Sequence, residues 1–318
     1  MAVPFVKTLD FSYAEAERLS PRIRRVIARN PSPFTFHGTG TYIVGGARGG
    51  GDHDRGPHGR GPVAVIDPGP DDAAHVAALL RALDGETVSH ILITHTHRDH
   101  SPAAAALQQA TGAPTYAFGP HPLPQGGPAV EEGGDHAFRP DHRLADGDTV
   151  DGPGWTLTAL HTPGHISNHL CFALREEQAL FSGDHVMGWS TTVISPPDGS
   201  MTDYYASLNR LLPRDDARYY PTHGAPIDAR STGASPQAFV QALLQHRAAR
   251  EVQILRCLDR DGPQTIPQMV AAMYHDVPAY LHPAAARSVL AHLIHMVADG
   301  RVTADDGVAD EAAVYRLG

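Results

Sequence analysis

The stretch Ile93-Thr94-His95-Thr96-His97-Arg98-Asp99-His100 places three histidines and an aspartate within six residues of one another, directly after an apolar run. Imidazole nitrogens and carboxylate oxygens are the donor atoms that zinc takes most readily, and iron and manganese accept the same set. Two histidines two residues apart beyond a strand converge on one ion, whereas the Asp and His that follow turn in another direction. On its own the stretch therefore describes two half-built metal sites. The missing donors are expected at the ends of neighbouring strands, because a sheet gathers strand termini in space. The chain supplies them in order: His165 in HTPGHISNH, Asp184 at the end of ALFSGD, and His223 at the end of ARYYPTH. One ion would take His95, His97 and His165, a second Asp99, His100 and His223, and Asp184 would bridge the two.

Two divalent cations, zinc in the first instance, with iron or manganese allowed, would hold a bridging hydroxide as nucleophile while polarising the substrate and its leaving group. Asp99 and Asp184 are the catalytic carboxylates of this scheme, Asp99 as the group that orients the water. Asp67, closing VAVID, is expected to hold one of the imidazoles from behind or else to form the turn before Pro68-Gly69. Thr191, Thr192 and Tyr204 are candidate pocket residues, and His246 in HRAAR is a further one. His185 and His169 are read as non-catalytic, the first because a neighbour in a strand points to the opposite face.

The elements that must position these residues follow from periodicity. TYIV (41–44), VAVID (63–67), HILITH (90–95), WTLTALH (155–161), LCFAL (170–174), ALFSGD (179–184) and ARYYPTH (217–223) read as largely buried strands. DDAAHVAALLRAL (71–83) and SPAAAALQQA (101–110) read as helices covering a sheet. Glycine, proline and charge mark 45–62 as a loop that carries His53 and His58, and 119–143 as a second irregular segment close to the site, either a pocket wall or a plain surface loop. From residue 231 the pattern turns helical. Ser235-Pro236 caps a helix with an apolar stripe of Phe239, Leu243, Leu244, Ile254, Leu255 and Leu258. Helices follow near Ile266–Tyr274 and over Pro283–Ala298, the last presenting Ala286, Val289, Leu290, Leu293, Ile294 and Val297, before a closing hairpin. The division expected is a catalytic unit over 1–230 and a three-helix unit with a wing over 231–318.

The seven donor positions, HxHxDH followed by His, Asp and His, resemble the metallo-β-lactamase-fold hydrolase superfamily. That likeness implies an α/β fold, a four-layer αββα sandwich with the metals at one sheet edge. LSPRIRRVIARNPSPFTFHGTGTYIVG, HTPGH, FSGDHVMGWSTTV, DYYASLNRLL and HRAAREVQIL resemble more narrowly its lactamase-β-like endoribonuclease subgroup, which implies a winged-helix-like tail as well. Departures from other branches narrow the activity. The superfamily's β-lactamases commonly place a cysteine where Asp184 stands; its flavodiiron members carry glutamate in place of a histidine of the first motif; nucleases with an inserted domain need more than the 39 positions that separate Asp184 from His223.

Composition bounds what remains. The 318 residues carry a formal charge of -10, with 25 Lys and Arg against 35 Asp and Glu, which disfavours a general polyanion-binding surface. In 241–318 seven arginines face nine acidic residues, so the tail is expected to pack, to cover the pocket or to mediate a homodimer. The opening MAVPFVKTLDF lacks a long apolar core, no run reaches bilayer length, and Cys171 and Cys257 lie far apart; no membrane partner is expected, and a reducing cytoplasm is. The substrate expected is a small ester or thioester, as in the glyoxalase II branch. The alternatives are single-stranded RNA, cleaved along a basic track such as RLSPRIRRVIAR (18–29), and an iron-dependent sulfur oxygenation at the same donors.

Overall fold

The computed structural model describes residues 2–45, 61–122, 133–276 and 278–318. The expected loop histidines His53 and His58 lie outside these residues, as does the middle of the 119–143 segment.

Two sheets face each other. The first has seven strands in chain order: β1 (Glu17–Arg18), β2 (Ile23–Ile27), β3 (Gly40–Val44), β4 (Val63–Ile66), β5 (Val88–Leu92), β6 (Thr115–Ala117) and β7 (His142–Arg143). Pairing is antiparallel as far as β4 and parallel beyond it. The second holds β8 (Thr149–Gly152), β9 (Trp155–His161), β10 (Leu170–Leu174), β11 (Ala179–Gly183) and β12 (Arg218–Pro221) in the order β12-β11-β10-β9-β8. Only its β11–β12 pair is parallel.

Alternation along each strand sorts side chains between layers. Tyr42, Val44, Ala64 and Ile66 point inward and meet Trp155, Leu157, Leu170, Phe172 and Phe181 of the second sheet. Ile43, Val63 and Val65 point outward and pack under α1 (Ala73–Ala82) and α2 (Ala103–Thr111) through Leu79, Leu83 and Leu107. Cys171, Leu180 and Tyr219, on the far face of the second sheet, are covered by α3 (Met201–Leu211) and by the first half of α4 (Pro236–Asp261) through Tyr204, Leu208, Phe239 and Leu243. The result is the expected four-layer αββα sandwich. Asp72 caps α1 by accepting from the Ala74 amide, and Ser235 caps α4 from the Ala238 amide with Pro236 in the first turn.

The tail follows the expected outline. The second half of α4 joins α5 (Ile266–Met273), α6 (His282–Ala298) and a small sheet of β13 (Gln264–Thr265), β14 (Val302–Ala304) and β15 (Val314–Leu317) in the order β13-β15-β14. Ile254, Leu258, Met269, Val289, Leu293, Met296 and Tyr315 form its core. One reading needs correction here. Ile294 was expected on the buried face of α6 but is 38% exposed; the buried stripe is rotated so that Ala285, His292 and Met296 take part. The expected α4 stripe is continuous and divides between two cores, Phe239 and Leu243 in the sandwich and Ile254 and Leu258 in the tail.

Strands also stop earlier than their sequence runs. β5 ends at Leu92 and β12 at Pro221. Beyond them the backbone is taken up by other partners: the Thr94 amide donates to the Asp67 carboxylate, and the Thr222 carbonyl accepts from the Gly40 amide. Both departures carry histidines off the sheet edge. Within RLSPRIRRVIAR, β2 engages two of the five arginines: Arg24 ion-pairs with Glu86, and buried Arg25 pairs with Glu17 and donates to the Gly224 carbonyl.

Candidate metal centre

Seven side chains from four strand ends meet at one edge of the sandwich. His95, His97, Asp99 and His100 follow β5, His165 follows β9, Asp184 follows β11 and His223 follows β12. All are buried apart from half-buried His97. Donor atoms of His95, His97 and His165 lie within 4.8 Å of one another, as do those of Asp99, His100 and His223. A third such group, His95, His100 and Asp184, takes one histidine from each of these and adds the aspartate between them.

Hydrogen bonds behind the imidazoles fix which nitrogen faces inward. His165 Nδ1 lies 2.7 Å from the Val193 carbonyl, which can only accept, so Nδ1 carries the proton and Nε2 offers a lone pair. His223 Nδ1 donates in the same way to the Gly38 carbonyl at 3.1 Å, and His100 Nδ1 to Asp67 Oδ2 at 3.0 Å. The Thr94 hydroxyl donates to Asp67 Oδ2 at 2.7 Å, so the 3.1 Å contact between Thr94 Oγ1 and His95 Nδ1 runs from the imidazole to the hydroxyl. That leaves His95 Nε2 as a lone pair too.

This arrangement tests whether the residues suit a cation. His95 Nε2 and His165 Nε2 stand 3.0 and 3.1 Å from the same atom, His97 Nδ1. A single N–H there can point squarely at only one of the two, so at least one of these contacts is poorly satisfied. Asp184 Oδ1 is buried without a hydrogen-bond partner among the described residues. Asp99 Oδ2 and Asp184 Oδ2 both face His100 Nε2 and His223 Nε2, at 3.2 to 3.5 Å. Converging lone pairs around buried carboxylates are what a divalent cation satisfies, and the donor set fits.

The electrostatics of the bare side chains agree. Burial holds His95 and His97 well below the ordinary histidine value, and neighbouring imidazoles add to it. Burial acts the same way on His100 and His223, but Asp99 and Asp184 overcome it and hold both above, His223 at about 10. Conversely, burial pushes Asp99 and Asp184 up, and the facing His100 and His223 outweigh it and keep both carboxylates well below their usual range. A cation at this position replaces those imidazole protons as the positive charge facing the carboxylates.

Two glycines are required by this packing. Gly183 adopts φ +52, and a Cβ there would fall 2.5 Å from His169 Nε2. Gly164, φ +143, would meet the Tyr204 backbone at 2.5 Å.

Asp67 combines both roles considered for it: φ is +50 in the turn before Pro68, and its carboxylate accepts from the Thr94 amide, the Thr94 and Thr222 hydroxyls and His100. The candidate pocket residues fare differently. Tyr204 is fully buried, its hydroxyl donating to the His185 carbonyl, so it cannot line an open pocket. Thr192 is buried with its hydroxyl 3.3 Å from His165 Nδ1. Thr191 is half-buried, and among the described residues no hydrogen bond ties it to the cluster. His246 is half-buried, pushed to about 4 by burial and by Arg247 and Arg250, and among the described residues no hydrogen bond or ion pair joins it to the cluster. His185 has neither ring nitrogen paired among the described residues and is pushed to about 3 by burial, a packing residue against Tyr204. His169 is a hydrogen-bonded core histidine: Nδ1 donates to Thr162, and Nε2 accepts from the Asp184 amide. Arg98 is exposed.

Four positioning groups escape sequence reasoning. Two are the carbonyls of Gly38 and Val193, which carry no residue-type signal. The others are Thr39, which donates to Asp99 Oδ2 at 3.1 Å, and Thr222. The signal available for Thr222 was its place beside His223.

Comparison with known proteins completes the picture. Residues 58–223 match the family model described as metallo-beta-lactamase superfamily, and residues 265–310 match the beta-lactamase associated winged helix domain. A lactamase-like protein of Pestalotiopsis microspora is 33% identical over 257 residues, covering 79% of this chain and 68% of its own length. An atrochrysone carboxyl ACP thioesterase of a Cryptosporiopsis species is 31% identical over 285 residues, covering 82% and 74%. Among solved structures, a beta-lactamase domain protein from Burkholderia ambifaria superposes with a TM-score of 0.76 at 21% identity over 100% of this chain and 97% of its own. No helix among the described residues is long and apolar enough to cross a membrane.

Proposed function

The chain belongs to the metallo-β-lactamase superfamily, and from that premise we propose that it is a two-zinc hydrolase of acyl thioesters. The hydrolase class is that of its relatives; the metal, its number and the bond cleaved are the proposal. The observation that carries it is the opposition of His95 Nε2, His97 Nδ1 and His165 Nε2 beside Asp184, whose Oδ1 is buried and unpartnered. We assign one ion to His95, His97 and His165, the other to Asp99, His100 and His223, with Asp184 between them. When bound, two such cations supply Lewis acidity that lowers the pKa of water towards about 7 and neutralises charge developing on the substrate.

The chain's own residues do the positioning. Asp67 keeps His100 turned, the Gly38 and Val193 carbonyls turn His223 and His165, and Thr39 holds Asp99 in one orientation, where it is the carboxylate we assign to orient the attacking water. His169 fixes the backbone of Asp184. A thioester substrate is supported by relatives named as thioesterases of acyl-carrier-protein substrates. The charge of -10 and the engaged arginines of β2 speak against RNA. We take 1–230 as the catalytic unit and 231–318 as the helical unit. Two unpaired buried cysteines suit a reducing cytoplasm.

The test is to measure bound metal and then hydrolysis of an acyl-coenzyme A thioester, a simple ester and single-stranded RNA. Thioester turnover should dominate, and Asp184→Asn and His95→Ala should each reduce it by at least about 100-fold. Turnover indifferent to both substitutions refutes the proposal. Salt-sensitive RNA cleavage would transfer the site to a nuclease, and bound iron with oxygen uptake would transfer it to an oxygenase.

A further inference from the structure

Arg247 is anomalous. It lies on α4, is 4% exposed, and carries its charge at any ordinary pH. Yet no carboxylate ion-pairs with it among the described residues, and its Nε is buried without a hydrogen-bond partner. A buried cation without a counter-ion is costly, and an apolar side chain of similar volume would fill the same space without that cost. What the guanidinium does touch is specific. Nη2 donates to the Thr192 carbonyl, and the group lies over the Tyr204 ring at 5.4 Å.

The Thr192 carbonyl belongs to residues 190–195, which form neither helix nor strand. No ladder therefore sets the direction of the carbonyls in this segment. The next carbonyl along, that of Val193, is the acceptor of His165 Nδ1–H at 2.7 Å, and the Thr192 hydroxyl lies 3.3 Å from the same nitrogen. Two anchors hold the segment on either side: the Arg247 bond at Thr192 and the buried side chain of Ile194.

We propose that Arg247 is a positioning residue for His165: by clamping the Thr192 peptide it aims the Val193 carbonyl, which in turn holds His165 Nε2 towards His97. The helical tail thus reaches into the site through the first half of α4 and sets the affinity of one metal position, that of His95, His97 and His165. The inference rests on the metal reading of these residues. Groups that orient a metal-bound histidine typically change affinity by about 10- to 100-fold when removed.

The test uses the full chain, with cobalt(II) as the probe and a competing chelator to measure each affinity, while apo-protein unfolding is followed separately. Arg247→Gln should weaken one of two cobalt sites by about 10- to 100-fold, change its visible absorption, and leave the Asp99–His100–His223 site unchanged. Arg247→Lys, which keeps a donor and a charge, should recover part of that affinity. If Arg247→Gln does not fold, the same criterion applies to Arg247→Lys alone, which should then show a weakened site. Two sites of wild-type affinity in every folded variant overturn the proposal whatever their stability, and so does an equal weakening of both sites that tracks the loss of apo stability. A wild-type chain that binds no cobalt refutes the metal reading itself, and this inference with it.

Discussion

Asp67→Asn isolates the charge that joins the two halves of the site. Asp67 is 1% exposed and adopts φ +50, a conformation asparagine accepts as readily as aspartate, so the backbone is not the variable. Its Oδ1 accepts from the Thr94 amide at 2.7 Å, and its Oδ2 accepts from Thr94 Oγ1, His100 Nδ1 and Thr222 Oγ1 at 2.7, 3.0 and 3.2 Å. An asparagine must turn its NH2 to one side. Facing the Oδ2 partners it opposes three donors; facing Oδ1 it strands the Thr94 amide and leaves the other three without a charged acceptor. Hydrogen bonds to charged groups contribute about 1.5–3 kcal/mol each, and a stranded buried donor costs about 1–3 kcal/mol. The gentler orientation loses one bond outright and weakens three, which places the destabilisation at about 2–4 kcal/mol. His100 also loses its anchor, so a cation at Asp99, His100 and His223 should bind about 10- to 100-fold more weakly. Urea unfolding of the metal-free protein reads the first quantity, and chelator competition the second. A variant with the wild-type unfolding midpoint and the wild-type chelator midpoint would refute the assignment of Asp67 as the residue that orients His100.

Gly183→Ala puts a Cβ 2.5 Å from His169 Nε2 in a left-handed backbone, so we expect a loss of about 1–3 kcal/mol and a drop in bound metal, read by thermal unfolding and elemental analysis; a fully metallated variant of wild-type stability would contradict it. Stability should also depend on pH through the tail. Burial holds His292 below the ordinary histidine value, outweighing its bond to Glu251, so its contribution is complete above pH 6.5 and is lost as pH falls below it. Glu251 is pushed up by burial but held below the usual carboxylate range by His292 and Arg301, so its contribution is lost as pH falls below 4.5. Unfolding curves of wild type and His292→Gln between pH 7 and 5 should therefore converge as pH falls, and parallel curves would count against this assignment. Cys171, fully buried and pushed up to about 12 by burial, should resist a thiol reagent in the folded protein and react only on unfolding; rapid labelling under native conditions would show that the second sheet opens locally.

The sequence made the strand ends legible because each ligand type is rare in an apolar run, and a histidine or aspartate at its close stands out. WTLTALH and LCFAL became strands with the same limits as their sequence patterns. What escaped was whatever depends on chain segments distant in sequence. The arginines of IRRVI read as part of a basic track, yet Arg24 and Arg25 meet Glu86 and Glu17 once β2 joins the sheet. Thr192 and Tyr204 read as pocket residues, yet both are buried beneath α4, and a helix crossing over them is something no local pattern encodes. Main-chain acceptors such as Gly38 and Val193 are invisible to any reading by residue type, although they decide which nitrogen of His223 and His165 faces the centre.

The same contacts explain why the site lies between the sheets rather than within one. His95, His97, Asp99 and His100 leave the first sheet, and His165, Asp184 and His223 leave the second, so no metal position is complete until the two have packed. The edge is stitched accordingly: Tyr42 donates to the Pro221 carbonyl, the Gly40 amide to Thr222, Arg25 to Gly224, and the Leu170 amide to Thr94. Each bond runs from one sheet to the other beside a ligand. Gathering buried carboxylates and imidazoles here is unfavourable by itself, and the apolar layer of Trp155, Phe172, Phe181 and their partners supplies the compensating burial. A cation that binds only the packed form then stabilises the whole sandwich by mass action. Metal affinity and the docking of the sheets are on this argument one equilibrium, and substitutions such as Asp67→Asn should move both together.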